Sequence, residues 1–71
     1  MKIVETITIE CDDCLGFYID LECLIYKDKS FKYRIRKEFY KYDQPEFEDE
    51  FFDTQEEALK KFELIIKEDE E

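Results

Sequence analysis

A chain of 71 residues with 21 acidic and 11 basic side chains carries a formal charge of −10. That length makes a single domain, residues 1–71, and a chain so small buries only about 60% of the surface it exposes when unfolded. The charge argues against direct contact with nucleic acid or an anionic membrane, because both attractions come from neutralising phosphates.

Seven Phe and five Tyr supply a dense core, and one Gly and one Pro argue against a disordered chain. The N-terminal residues alternate in polarity and contain no continuous apolar segment of the signal-peptide kind. No run approaches the roughly 20 apolar residues of a membrane span. The expected location is cytoplasmic, where the three cysteines stay reduced.

Residues 2–11 read as a first strand, with Ile3, Ile7, Ile9 and Cys11 on one face and Val4, Thr6, Thr8 and Glu10 on the other. The stretch 11–16, with Asp12, Asp13 and Gly16, reads as a turn. Residues 17–26 form a second strand: Phe17, Ile19, Leu21, Cys23 and Ile25 face one way, and Tyr18, Asp20, Glu22, Leu24 and Tyr26 the other. Lys27 to Ser30 turns the chain into a third strand over 31–42. There Phe31, Tyr33, Ile35 and Phe39 occupy odd positions, with Lys37 as the exception.

That third strand is where the positive charge concentrates. Residues 27–42 hold seven basic and two acidic side chains in a chain of net charge −10. If the odd faces of strands two and three both look inward, a pairing sum of 56 sets Glu22 against Arg34 and Asp20 against Arg36. The arginines and lysines then serve as internal counter-charge. Residues 43–45 read as the next turn. Residues 46–52 read as a short fourth strand or an acidic loop; as a strand, Phe47 and Phe51 point inward and Glu46, Glu48 and Glu50 outward, near Arg36. Lys37 and Asp49 fall at nominally inward positions, paired with each other or rotated by a bulge.

Thr54, three residues before Glu57, is a helix N-cap in a capping box. Ala58, Leu59, Phe62, Ile65 and Ile66 make the buried stripe, and Glu56–Lys60, Glu57–Lys61 and Glu63–Lys67 are i,i+4 pairs. Like charge at the negative end of the helix dipole predicts an acidic tail fraying over 68–71. The fold class is therefore α+β: an antiparallel meander of three or four strands with one C-terminal helix on one face.

Catalytic equipment is missing from the sequence. There is no histidine, the usual general base, and no glycine-rich loop to hold a phosphate. Cys11, Cys14 and Cys23 fall short of the four ligands of a structural zinc site, although a two-cysteine site completed by Asp12 or Asp13 is conceivable. Neither a metal nor any other cofactor is called for, and the expected protein is not an enzyme.

Charge is the remaining functional signal. Between residues 43 and 59 stand Asp43, Glu46, Glu48, Asp49, Glu50, Asp53, Glu56 and Glu57, with no basic residue among them. Carboxylates on alternate strand residues recur about every 6.6 Å, with Phe47, Phe51 and Phe52 interleaved as apolar anchors. One reading is a solvated acidic edge that keeps a small protein soluble. The other is a surface that imitates a phosphate backbone toward a basic nucleic-acid-binding enzyme or complex. A second surface, of Tyr18, Leu24, Tyr26, Tyr40 and Tyr42 with Val4 on the outer sheet face, and Leu64 on the helix, would suit an adaptor or a homodimer, since Tyr is enriched at interfaces.

In general character (small, acidic, rich in aromatics, without catalytic groups) the chain resembles phage-encoded inhibitors of host nucleic-acid enzymes, such as anti-CRISPR and anti-restriction proteins. The resemblance is one of composition. It implies a stoichiometric inhibitor and assigns no site residues.

Overall fold

The computed structural model describes residues 2–69. Four antiparallel strands form one sheet in sequence order: β1 (Ile3–Cys14), β2 (Phe17–Tyr26), β3 (Phe31–Lys41) and β4 (Gln44–Phe52). The helix α1 (Gln55–Asp69) packs on one face of it. Ile19, Leu21 and Ile35 from the sheet meet Ala58, Phe62 and Ile65 from the helix, and these six make the core. Phe17, Tyr33, Phe52, Leu59 and Ile66 pack around them, half-buried.

The central register follows the charges. Asp20 lies opposite Arg36 and Glu22 opposite Arg34, as the expected sum of 56 requires. Between these strands Lys29 takes φ 72°, and Asp28 accepts from the backbone N–H of Ser30 at 3.0 Å and from its hydroxyl. Those two bonds hold the Asp28 carboxyl below its ordinary pKa.

The first strand is longer than the sequence suggests. Residues 11–14 continue β1, and the turn shrinks to Leu15 and Gly16, with Gly16 at φ 89°. Asp12 and Asp13 signal a turn by composition, but hydrogen bonding to β2 keeps them extended opposite Ile19 and Tyr18. Bulges beside Val4 and Ile9 shift the register twice. The second reverses the faces, so Cys11 sides with Asp20 away from the helix and Cys14 with Phe17 against the core. The two cysteines of the motif therefore point to opposite faces. Among the described residues no three acidic or cysteine side chains gather as a metal site.

The fourth strand exists, with its faces exchanged. A turn over 43–45 would pair residue 42 with 46 and keep odd residues opposite odd. Instead Tyr42 and Asp43 form a two-residue turn, both with positive φ (54° and 64°), and Lys41 pairs with Gln44. Paired positive φ values match the right-handed twist of a hairpin, and Asp tolerates them better than most residues. One residue fewer in the turn sends every β4 side chain to the other side. Phe52 points into the core, Phe47 and Phe51 point away from the helix, and Glu46, Glu48 and Glu50 lie on the helix side. Asp49 reaches Arg36 rather than Lys37. Pro45, which has no N–H to give, is tolerated because β4 is an edge strand.

The helix begins as its sequence predicts. The Thr54 hydroxyl oxygen accepts from the Glu57 N–H at 3.2 Å and donates to the Glu57 carboxylate at 2.9 Å. The three i,i+4 pairs form no ion pair within 4.0 Å; long exposed side chains gain little from closing one. Helical structure runs through Glu68 and Asp69, the first half of the expected fray, and Glu70 and Glu71 lie outside the described residues. Asp69 accepts from the backbone N–H of Leu15 at 3.1 and 3.2 Å, which fastens the end of the helix to the β1–β2 turn. No described helix is long and apolar enough to cross a membrane.

Candidate partner-binding edge

β4 is an outer strand, and all of its residues but Phe52 are exposed. Its alternation presents two different borders along one edge. On the helix side stand Glu46, Glu48 and Glu50, opposite Phe39, Lys37 and Ile35. On the other side stand Phe47, Asp49 and Phe51, opposite Glu38, Arg36 and Arg34.

The acids divide by whether the fold neutralises them. Asp49 binds Arg36 through two hydrogen bonds of 2.8 and 2.9 Å, and Asp53 lies 3.9 Å from Lys32. Glu46, Glu48 and Glu50 form no ion pair among the described residues. Glu48 and Glu50 share a cleft of about 210 Å³ with Lys37, Lys61 and Glu68. Lys37 instead lies 5.2 Å from the centre of the Phe17 ring. Asp43 sits in the β3–β4 turn, while Glu56 and Glu57 open the helix. The eight acids thus follow one edge of the molecule, from the turn at one end of β4 to the helix start at the other, with Asp49 turned to the face away from the helix.

On the face away from the helix, Arg36 organises the surroundings. Its guanidinium stacks 4.8 Å from the centre of the Phe47 ring while its edge holds Asp49. The Arg36 hydrogen bond keeps the Asp49 carboxyl below its ordinary pKa. Asp20, across the strand on the other side, is pushed upward by burial and then by Glu22 and Glu38. The two therefore have opposite linkage. Asp49 contributes stability that is present above the ordinary carboxylate range and lost as pH falls through its lowered value. Asp20 binds its proton more tightly when folded, so it favours folding in acid and becomes a cost as pH rises through its raised value. At pH 7, Asp20→Asn is expected to raise the melting temperature and Asp49→Asn to lower it. Thermal unfolding followed by circular dichroism reads both; upward shifts in both would mean that general charge relief outweighs the local contacts.

The apolar residues regroup as well. Of the expected anchors, Phe52 belongs to the core, whereas Phe47 and Phe51 are 49% and 52% exposed on the outer sheet face. Tyr18 and Tyr40 join them there, edge to face at 6.0 Å, with the Tyr40 hydroxyl donating to Glu38. That bond raises the Tyr40 pKa. The rest of the tyrosine surface does not assemble. Leu24 is fully buried, Tyr26 is half-buried, and Tyr42 stands in the turn. Leu64 faces solvent on the far side of the molecule, in a groove with Phe52 and Lys60. The phase of β4 decides which aromatics are available, and only its turn length reveals that phase. No protein-family model matches this chain, and no curated protein and no solved structure matches it.

Proposed function

We propose that the protein is a non-enzymatic, stoichiometric inhibitor that acts in the cytoplasm. It lays its β4 border on a basic nucleic-acid-binding surface, a reading in keeping with its compositional resemblance to anti-CRISPR and anti-restriction inhibitors. The observation that carries this reading is the exposed row of Glu46, Glu48 and Glu50, which form no ion pair among the described residues although Asp49 and Glu22 are paired. Spaced about 6.6 Å apart, they offer a partner's lysines and arginines a regular line of charge. Phe47 and Phe51 on the opposite border add an apolar contact for a groove that straddles the edge. No cofactor or metal is needed for such an act.

The test is a triple variant, Glu46→Gln, Glu48→Gln and Glu50→Gln, set against Asp12→Asn with Asp13→Asn on the opposite edge. Asp49 stays untouched because it holds Arg36. Basic proteins captured from a host extract by the natural chain should be released by heparin and by salt. Raising ionic strength from 0.1 to 1 M shortens the Debye length from about 10 to about 3 Å. The triple variant is expected to bind at least about tenfold more weakly, mainly through slower association, and the 12/13 variant nearly normally. Undiminished capture by a folded triple variant would transfer the function to the face of Tyr18, Tyr40, Phe47 and Phe51, which suits an adaptor.

A further inference from the structure

The two edges of the sheet are unequally protected. β4 carries Pro45 and four carboxylates, devices that discourage the addition of another strand. β1 is less protected over its first half: it has no Pro, and between its bulges at Val4 and Ile9 the sole charge is Glu5, amid Ile and Thr. Ile3, Val4 and Ile7 are 38%, 57% and 44% exposed. The helix ends at the β1–β2 turn, so it covers the other half of this strand. The bulges beside Val4 and Ile9 leave Glu5 to Thr8 as an uninterrupted ladder.

We propose that β1 pairs antiparallel with β1 of a second copy, centred on Thr6, joining two four-stranded sheets into one of eight. The charges select that centre. A twofold axis through the seam keeps both helices on one side, so residues that meet must share a face. With bulged Val4 and Ile9 stepping out of the ladder, centring on Thr6 sets Glu5 opposite Ile7, Ile3 opposite Thr8 and Lys2 opposite Glu10, each contact occurring twice. Centring on Ile7 would oppose Glu5 and Glu10. Centring on Glu5 would oppose the two Glu5 side chains, and on Thr8 would oppose Glu5 and Asp12. Like charges directly opposite destabilise a strand pair. Of the four centres in the regular stretch, Thr6 alone avoids carboxylate against carboxylate, and it adds an ion pair at each end. Apolar side chains at the seam leave water, while two chains of charge −10 repel at long range.

Sedimentation equilibrium of the full chain tests this. The natural protein is expected to be dimeric at about 0.1 mM and tighter in high salt, which screens the net repulsion. Ile7→Glu, at an exposed position, sets carboxylate against Glu5 and is expected to raise the dissociation constant at least about tenfold. Adding Glu5→Lys to it restores an attractive pair in this register alone, and with it the dimer. Lys2→Glu, clear of the core, should weaken the dimer by opposing Glu10. Circular dichroism confirms that each variant is folded. A monomer at every concentration and salt, a dimer indifferent to Ile7→Glu and Lys2→Glu, or no rescue in the folded double variant would overturn the proposal. Salt acts here in the opposite sense to its effect on the β4 border, so the two surfaces fail or succeed separately.

Discussion

Phe62→Ala is expected to abolish the cooperative thermal transition of this protein. Phe62 is 2% exposed and meets Ile19, Leu21 and Ile35 beneath the helix. The Cα envelope is only 14 Å deep, one layer of sheet and one of helix, so the described residues offer no second core to absorb the loss. Truncating a buried Phe costs about 3–5 kcal/mol, and the whole stability of a small domain is of similar size. Leu64→Ala, two residues along and 47% exposed, is expected to stay within about 0.5 kcal/mol of the natural chain. Equal destabilisation by the two would mean that the helix packs through a different stripe.

The second large effect is expected at Glu22 and Arg34. Their side chains are 12% and 10% exposed, joined at 2.8 Å, on the sheet face that no helix covers. The sheet and its own long side chains suffice to bury them, along with Leu24. Glu22→Leu leaves a guanidinium out of water without its partner, which typically costs about 3–5 kcal/mol. Arg34→Met leaves the carboxylate in the same condition. Both changes together leave no orphan charge, and apolar replacements of such pairs are often neutral or stabilising. Urea denaturation of the two single variants and the double should therefore show strong non-additivity, with the double close to the natural protein. A double variant as unstable as either single one would mean that the pair is stabilising in its own right, and additive losses would mean that the two side chains act independently.

Periodicity located the elements well, because alternation and the helix stripe are local properties of the side chains. The 56 register was also legible, since only that sum sets Glu22 and Asp20 against arginines. What stayed hidden were single-residue decisions. Whether β4 turns over two residues or three depends on backbone angles at Tyr42 and Asp43, and the turn-formers Asp43 and Pro45 pointed to 43–45. That decision moved Phe52 into the core, brought Asp49 to Arg36 and set the glutamate row beside the helix. The extension of β1 through Asp12 and Asp13 was hidden for a similar reason: turn-forming residues were held extended by pairing with β2. The acidic border itself was plain in the sequence. Which of its charges the fold neutralises was not, because that depends on partners 13 residues or more away, such as Arg36 for Asp49.

Strand order equal to sequence order has a consequence for how the chain is made. Each strand pairs with the one synthesised just before it, through connections of two to four residues. Short loops cost little closure entropy, and local topology folds fast. The meander can therefore zip together strand by strand as it leaves the ribosome. The helix that completes the core arrives last, and its Asp69 fastens onto a turn made 54 residues earlier. Until it does, Ile19, Leu21 and Ile35 lie bare on one side of a finished sheet. The interval between the fourth strand and the helix thus leaves an apolar sheet face open to other chains. An acidic chain, which repels its own kind and the anionic surfaces around it, is well suited to survive that moment.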